Sequence, residues 1–346
     1  MSGPRISLSH RSSKFGKMTF QIHNRRYIGS KASLTPWIFE SIPEEFKSGT
    51  FFDAFAGTGV VSAGAATRFQ KVVLNDLLYS NEVIYKAFFG TGKIDWTALE
   101  ALPLAAKKLA RKLNFFGEKF GGKYFDNDTA NLVGAYRLAI DQLFPDEKDR
   151  TRFVALASLI YSADRSAVTV GHYEAYLKFG KNRTFDFELI EPLKVKSKLY
   201  RADANKIAER VVSDVAYLDP PYNSRQYSRF YHVLETLTKW DNPELFGVAL
   251  KPAPENISDY CKRAAPGSLQ DLVSKLDTRF IVISYNNTYN SKSTSSQNKI
   301  TLEEIEVIAK SRGKVKVLEL PYKNFNAGNT QFSDHREFLF TVKVKD

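Results

Sequence analysis

Cysteine is almost absent: Cys261 is the single one in 346 residues. One thiol cannot build a disulfide framework or a zinc cluster, so a cytoplasmic setting is expected. No apolar run is long enough to span a bilayer, and no secretory signal pattern is visible, so no membrane partner is expected. No internal repeat or low-complexity tract occurs. Acids are missing from residues 1–31, where Arg5, Arg11, Lys14, Lys17, Arg25, Arg26 and Lys31 all stand. That stretch supplies +7 of a net charge of +12. A basic arm over residues 1–24 suits a polyanionic backbone.

What is present is enough for a large core: 43% hydrophobic and 13% aromatic residues. The pattern alternates strand and helix. "TFFDAFA" (50–56) and "KVVLND" (71–76) read as buried strands, each followed by a helical stretch. This is βαβ rhythm, which predicts a parallel sheet covered by helices. The rhythm breaks after Gly90: residues 91–196 read as a basic helical insert. Strands resume at 198–203, 214–219, 279–285, 314–320 and 336–344, the last two as an antiparallel pair. The expectation is an α/β chain with a seven-stranded mixed sheet. Its catalytic domain would comprise residues 25–90 and 197–346. "NNTYNSKSTSSQNK" (286–299) reads as a polar loop.

"FDAFAGTG" (52–59) joins a strand to a helix. Gly57 and Gly59 allow backbone to approach a ligand closely. The third glycine of a dinucleotide fingerprint is missing, because Ser62 occupies its place. Asp76 ends the next strand, where an acid commonly accepts ribose hydroxyls. A nucleoside cofactor, not necessarily NAD, is expected; the alternative is a plain strand–helix turn with a helix N-cap at Asp76 or Asn75.

"YLDPPYNSRQY" (217–227) is the sharpest signal. Asp219 ends an apolar strand at its carboxyl end, where ligands bind in open α/β sheets. Asp219 and Pro220 both precede a proline, which pushes them toward extended angles. Pro220 and Pro221 have fixed φ and no N–H. A stiff segment thus offers a carboxylate and a carbonyl at fixed separation, beside the flat ring of Tyr222. Two acceptors against an aromatic plate suit the exocyclic amine of a planar base.

"RRYIGSK" (25–31), "FDAFAGTG" and "DPPY" (219–222), in this order, resemble the Dam-like adenine-N6 DNA methyltransferases. "YSADRSAVTVGHYEAYLK" (161–178), "DPPYNSRQYSRFYHVLET" and "ISYNN" (283–287) resemble the restriction-system companion methylases of the FokI kind. The resemblance covers most of residues 25–345. It implies a Rossmann-like class I fold and S-adenosylmethionine as cofactor. It implies that Asp53, Phe55, Gly57 and Gly59 surround the methionine part, Asp76 binds the ribose and Asp203 meets the adenine ring. Tyr27 and Lys31 would line the cofactor carboxylate and the active-site mouth. Asp219, Pro220, Pro221 and Tyr222 would carry the chemistry.

The implied substrate is double-stranded DNA, whose target base must leave the stack. Arg25, Arg26, Asn223, Arg225, Tyr227 and Arg229 are the candidate DNA contacts, combining charge with rings for stacking. His232 reads as structural. The insert at 91–196 is the expected target-recognition region. A separate cognate endonuclease and a monomeric enzyme are expected, with no metal. Rival readings are N4-cytosine methylation, RNA adenine methylation, or a non-catalytic DNA-binding module. C5-cytosine methylation is disfavoured, since Cys261 sits in "YCK", outside any strand-end loop.

Overall fold

The computed structural model describes residues 20–174, 176, 184–287, 298–321 and 335–345. Arg5, Arg11, Lys14 and Lys17 of the basic arm, and residues 288–297 of the polar loop, lie outside the described residues.

Among the described residues, seven strands make one sheet: β1 Thr50–Asp53, β2 Lys71–Asp76, β3 Ser197–Arg201, β4 Val212–Leu218, β5 Asp277–Asn286, β6 Gly313–Pro321 and β7 Arg336–Val344. The order is β3-β2-β1-β4-β5-β7-β6. The first five strands are parallel, and β7 runs antiparallel between β5 and β6. The apolar strands alternate between two cores. Phe51, Val72, Leu74, Val215 and Tyr217 enter one; Phe52, Val73, Ala216, Leu218 and Ile281 enter the other. A sheet buried on both faces explains why these strands read as continuous apolar runs rather than polar alternations. Burying one such side chain contributes about 1.5–3 kcal/mol, and Phe52→Ala would cost about 3–5 kcal/mol through the cavity left behind.

Helices α1 (Val60–Ala65), α2 (Tyr79–Phe88), α3 (Leu102–Leu109), α4 (Phe115–Phe120), α5 (Asn127–Leu143), α6 (Arg150–Ser166) and α7 (His232–Lys239) contribute to the first core. Helices α8 (Ala265–Lys275) and α9 (Leu302–Lys310) cover the second. Asp126 and Asp149 start α5 and α6 by accepting backbone N–H groups, as helix N-caps do. No described helix is long and apolar enough to cross a membrane.

The helices within the expected insert at residues 91–196 differ in their packing. In α6, 14 of 17 residues are buried, and the helix packs on α2 and α7. It belongs to the layer that covers the sheet. Helices α3 and α4 each pack on α5, which in turn packs on α6.

Strands β1 and β4 are adjacent, but the chain proceeds from them toward opposite edges of the sheet. Their carboxyl ends therefore open a crevice, the usual ligand position in such sheets. Asp53 and Asp219 stand at those two ends.

Candidate active site

A cleft of about 640 Å³ occupies this crevice. Its walls include Tyr27, Lys31, Asp53, Phe55, Gly57, Asp76, Asp203, Asp219, Pro221 and Tyr227, ten residues singled out from sequence. Side chains separated by up to about two hundred positions in the chain thus meet because their strand ends meet.

The cofactor half is built by the loop after β1. Gly57 and Gly59 have φ of +53° and +79°, left-handed angles that favour glycine. A Cβ on Gly57 would lie 3.3 Å from the Tyr27 ring, so the loop stays close to that ring only with glycine there. Gly59 itself is buried, against Ile22 and Phe89. Asp76 does more than its strand-end position suggests. Its carboxylate accepts the N–H of Gly57 at 2.9 Å, of Leu77 at 2.8 Å and of Leu78 at 3.0 Å, and so holds the glycine loop in place. Burial raises its pKa above the ordinary carboxylate range, and these bonds oppose the rise. Asp203 caps the helix Ala204–Ile207 through the Asn205 N–H and is exposed at the far end of the cleft. Phe55 meets the ring of Tyr260 edge-on at 4.9 Å.

Asp53 is 1% exposed. Its Oδ2 accepts the Ser62 hydroxyl at 2.7 Å, whereas Oδ1 is buried without a hydrogen-bond partner. Burial pushes its pKa up to about 8. Ser62, read from sequence as the missing glycine, is thus a positioning group for a site acid. Asn75 was also overlooked. Its side-chain amide donates to the carbonyls of Ala54 and Ala202 and accepts the Ala202 N–H, which ties together the ends of β1, β2 and β3.

In "DPPY", both oxygens of Asp219 are engaged. Oδ2 lies 3.1 Å from the Lys31 ammonium, and Oδ1 accepts the Tyr222 hydroxyl. Burial raises the Asp219 pKa, with Lys31 opposing. Lys31, expected at the cofactor carboxylate and the active-site mouth, is buried, lines the cleft and is paired with Asp219. Its ammonium also lies 4.9 Å from the centre of the Tyr222 ring. Tyr222 stands edge-on to Tyr285 at 4.7 Å, and the Tyr285 hydroxyl donates to the Tyr222 carbonyl. Pro220 is buried and Pro221 lines the cleft. Gln226 bonds Ser258 twice, its amide donating to the carbonyl at 2.9 Å and accepting the N–H at 2.8 Å. This pair joins the loop after "DPPY" to the opposite wall of the cleft, and no local motif announces it.

The expected DNA contacts divide. Arg25 is 4% exposed, donates to Asn81 and lies 5.1 Å from the Tyr27 ring centre. It is an interior cation and not a phosphate contact, which corrects the sequence reading. Arg26 donates to the carbonyls of Asp164, Ala167 and Thr169, and its N–H bonds the Asp164 carboxylate. It is committed to that turn. Asn223 accepts the Arg225 N–H and shapes the loop. Arg225 lies over the Phe230 ring, Arg229 donates to the Pro252 carbonyl, and both remain half-buried at the surface. Tyr227, Tyr27 and Tyr231 stack in series, with centroids 5.4 and 4.7 Å apart. His232 is fully buried between the carbonyls of Arg229 and Ala249, in keeping with a structural role.

An open sheet with β7 inserted antiparallel, a glycine loop after β1 and acids ending β1, β2 and the turn after β4 define the Rossmann-like class I methyltransferase fold. The chain belongs to the D12 class N6 adenine-specific DNA methyltransferases, whose family model matches residues 27–300. It is 30% identical over 348 residues to the type II methyltransferase M.FokI of Planomicrobium okeanokoites, covering 92% of this chain and 52% of that protein. It is 28% identical over 331 residues to M.NlaIII of Neisseria lactamica, covering 90% and 95%. The modification methylase LlaI of Lactococcus lactis subsp. lactis is 28% identical over 349 residues, covering 92% and 54%. The chain therefore spans about half the length of the FokI and LlaI relatives, and nearly all of the NlaIII one. The family implies S-adenosylmethionine as methyl donor. The unpaired Asp53 Oδ1 suits the ammonium of its amino-acid part, and Gly57 lines the same cleft with its backbone held close to Tyr27.

Proposed function

We propose that the protein transfers a methyl group from S-adenosylmethionine to the N6 amine of an adenine flipped out of double-stranded DNA. It would act in the cytoplasm, as a monomer, as the modifying half of a restriction–modification pair whose endonuclease acts separately. The observation that carries this reading is the sharing of one cleft by Asp53, with its unpaired oxygen, and by Asp219 and Pro221, Asp219 also accepting the Tyr222 hydroxyl.

When bound, the cofactor supplies an electrophilic methyl group on a sulfonium. Asp53 would accept its ammonium, with Phe55 and Gly57 beside the methionine part; Asp76 would accept its ribose hydroxyls, and Asp203 would meet the adenine ring, with Tyr260 bordering that end. At the other end, Asp219 and the Pro220 carbonyl accept the two N–H groups of the target amine. Drawing both hydrogens out of the base plane localises the nitrogen lone pair for attack. Tyr222 stacks on the base, a contact of about 1–3 kcal/mol. The nitrogen sheds its proton after it gains the methyl group, and Asp219, whose pKa burial raises, is placed to hold it. Arg225 and Arg229 meet the DNA backbone, and α3–α5 supply sequence choice.

The test is transfer of label from the cofactor to duplex DNA, with single-molecule sequencing of DNA from a host expressing the protein. Methylated adenine within one fixed sequence context is expected. Label on cytosine N4, on RNA alone, or on no nucleic acid would overturn the reading.

A further inference from the structure

Glu337 has no part in the site as described so far, yet it lies beside it. It begins the inner part of β7, opposite Asn286 of β5, and is 4% exposed. Its Oε2 is buried without a hydrogen-bond partner. Asn286 hydrogen-bonds its side chain, and the charges that act on it are those of Lys31 and Asp219; Tyr217 and Tyr222 feel its charge in return. A buried carboxylate with an unmade bond is costly unless something fills the gap at some stage of function.

Lys31 is the cation whose charge acts on Glu337. It is paired with Asp219, 3.1 Å away, and the same Asp219 carboxylate must accept the target amine. Amine and ammonium compete for one acceptor. A lysine leaving Asp219 inside this buried site would be left uncompensated without a second acid. We propose that Glu337 is a positioning residue that takes the Lys31 ammonium when the target amine takes Asp219, so that the Asp219–Lys31 pair opens without a stranded charge. Burial pushes the Glu337 pKa up to about 7 while Lys31 opposes the rise, as suits a carboxylate that ionises fully once the ammonium moves toward it. The inference rests on the methyltransferase reading above.

The experiment is a double-mutant cycle on Glu337→Gln and Lys31→Met. Two readouts are single-turnover methylation at saturating DNA and capture of duplex DNA carrying 2-aminopurine at the target position, in the presence of sinefungin. Melting temperature and cofactor affinity serve as controls of folding. In the native-lysine background, Glu337→Gln should slow methylation by about tenfold or more and weaken capture. In the Lys31→Met background the same change should alter each readout by less than about twofold, the size expected when two residues act as one unit. If Lys31→Met leaves no measurable turnover, capture alone decides. Should Glu337→Gln not fold, Glu337→Met replaces it, and Glu337→Asp should recover part of the rate. A parent-like Glu337→Gln enzyme, or equal loss in both backgrounds, overturns the proposal. A parent protein that methylates no DNA overturns the functional reading first, and this one with it.

Discussion

The Lys31 ammonium lies 3.1 Å from the carboxylate of Asp219, a residue 188 positions later in the chain (219 − 31). The acid proposed to be catalytic is therefore held as half of an ion pair and is not an idle acceptor. Asp219→Asn keeps the shape but replaces a charged acceptor with a neutral one, roughly half as strong. Single-turnover methylation should fall by about 10²-fold or more, the scale seen when one preorganised electrostatic contact is lost. Cofactor affinity by calorimetry should change little. A variant methylating near the parent rate would end the acceptor account of "DPPY".

Tyr222 has two separable features, its ring and the hydroxyl that donates to Asp219. Tyr222→Phe should retain base capture, read by 2-aminopurine fluorescence, with a rate loss of a few-fold, near the roughly 1 kcal/mol of one hydrogen bond. Tyr222→Ala should lose both capture and rate. Equal behaviour of the two variants would show that stacking is not the role of the ring.

Asp53 makes the stability of the cofactor-free protein pH-dependent. Its pKa rises from 3.8 to about 8 through burial. Between those values the folded protein holds a proton that the unfolded chain releases. Stability from this group is thus full at low pH and is lost as pH rises toward 8. Cofactor affinity should move the opposite way, increasing as Asp53 ionises. Melting curves from pH 6 to 9 should slope downward more steeply for the parent than for Asp53→Asn. Identical slopes would remove Asp53 as the titrating group.

Arg25 and Arg225 should behave differently toward salt. DNA binding should weaken steeply, with a log–log slope of about −4 to −7 if some five to eight phosphates are neutralised. Arg225→Ala should reduce the magnitude of that slope by about 1. Arg25→Met should lower the melting temperature and leave the slope unchanged, since the guanidinium is buried. A slope change with Arg25→Met, in a folded protein, would return it to the interface.

Sequence choice should reside in α3–α5 and not in α6. Exchanging residues 94–148 with the matching segment of a relative of different specificity should move the methylated site. Exchanging α6 should damage folding, because its buried face packs on α2 and α7. An active 94–148 chimera that still marks the parent sequence would place recognition elsewhere.

The sequence by itself determined the parts of this protein that are local. Two prolines restrict their own backbone and that of the residue before each, so "DPPY" announced a stiff acceptor segment without any tertiary contact. Gly57 and Gly59 did the same for the cofactor loop, and the apolar runs "TFFDAFA" and "KVVLND" marked two strands as buried. Only the tertiary structure decided which charges are interior and whom they meet. Arg25 and Arg225 look alike in the chain, yet one lies under a tyrosine stack and the other near the surface. Lys31 could be assigned to the cofactor because nothing in "YIGSK" reveals that β4 ends beside it. Glu337 reads as one polar residue in a C-terminal strand, and it becomes a buried carboxylate with one oxygen unpartnered, within the field of Asp219, because β7 inserts next to β5. Backbone conformation is governed by neighbours in the chain, whereas the environment of a charge is set by whichever distant strand ends the sheet order brings together.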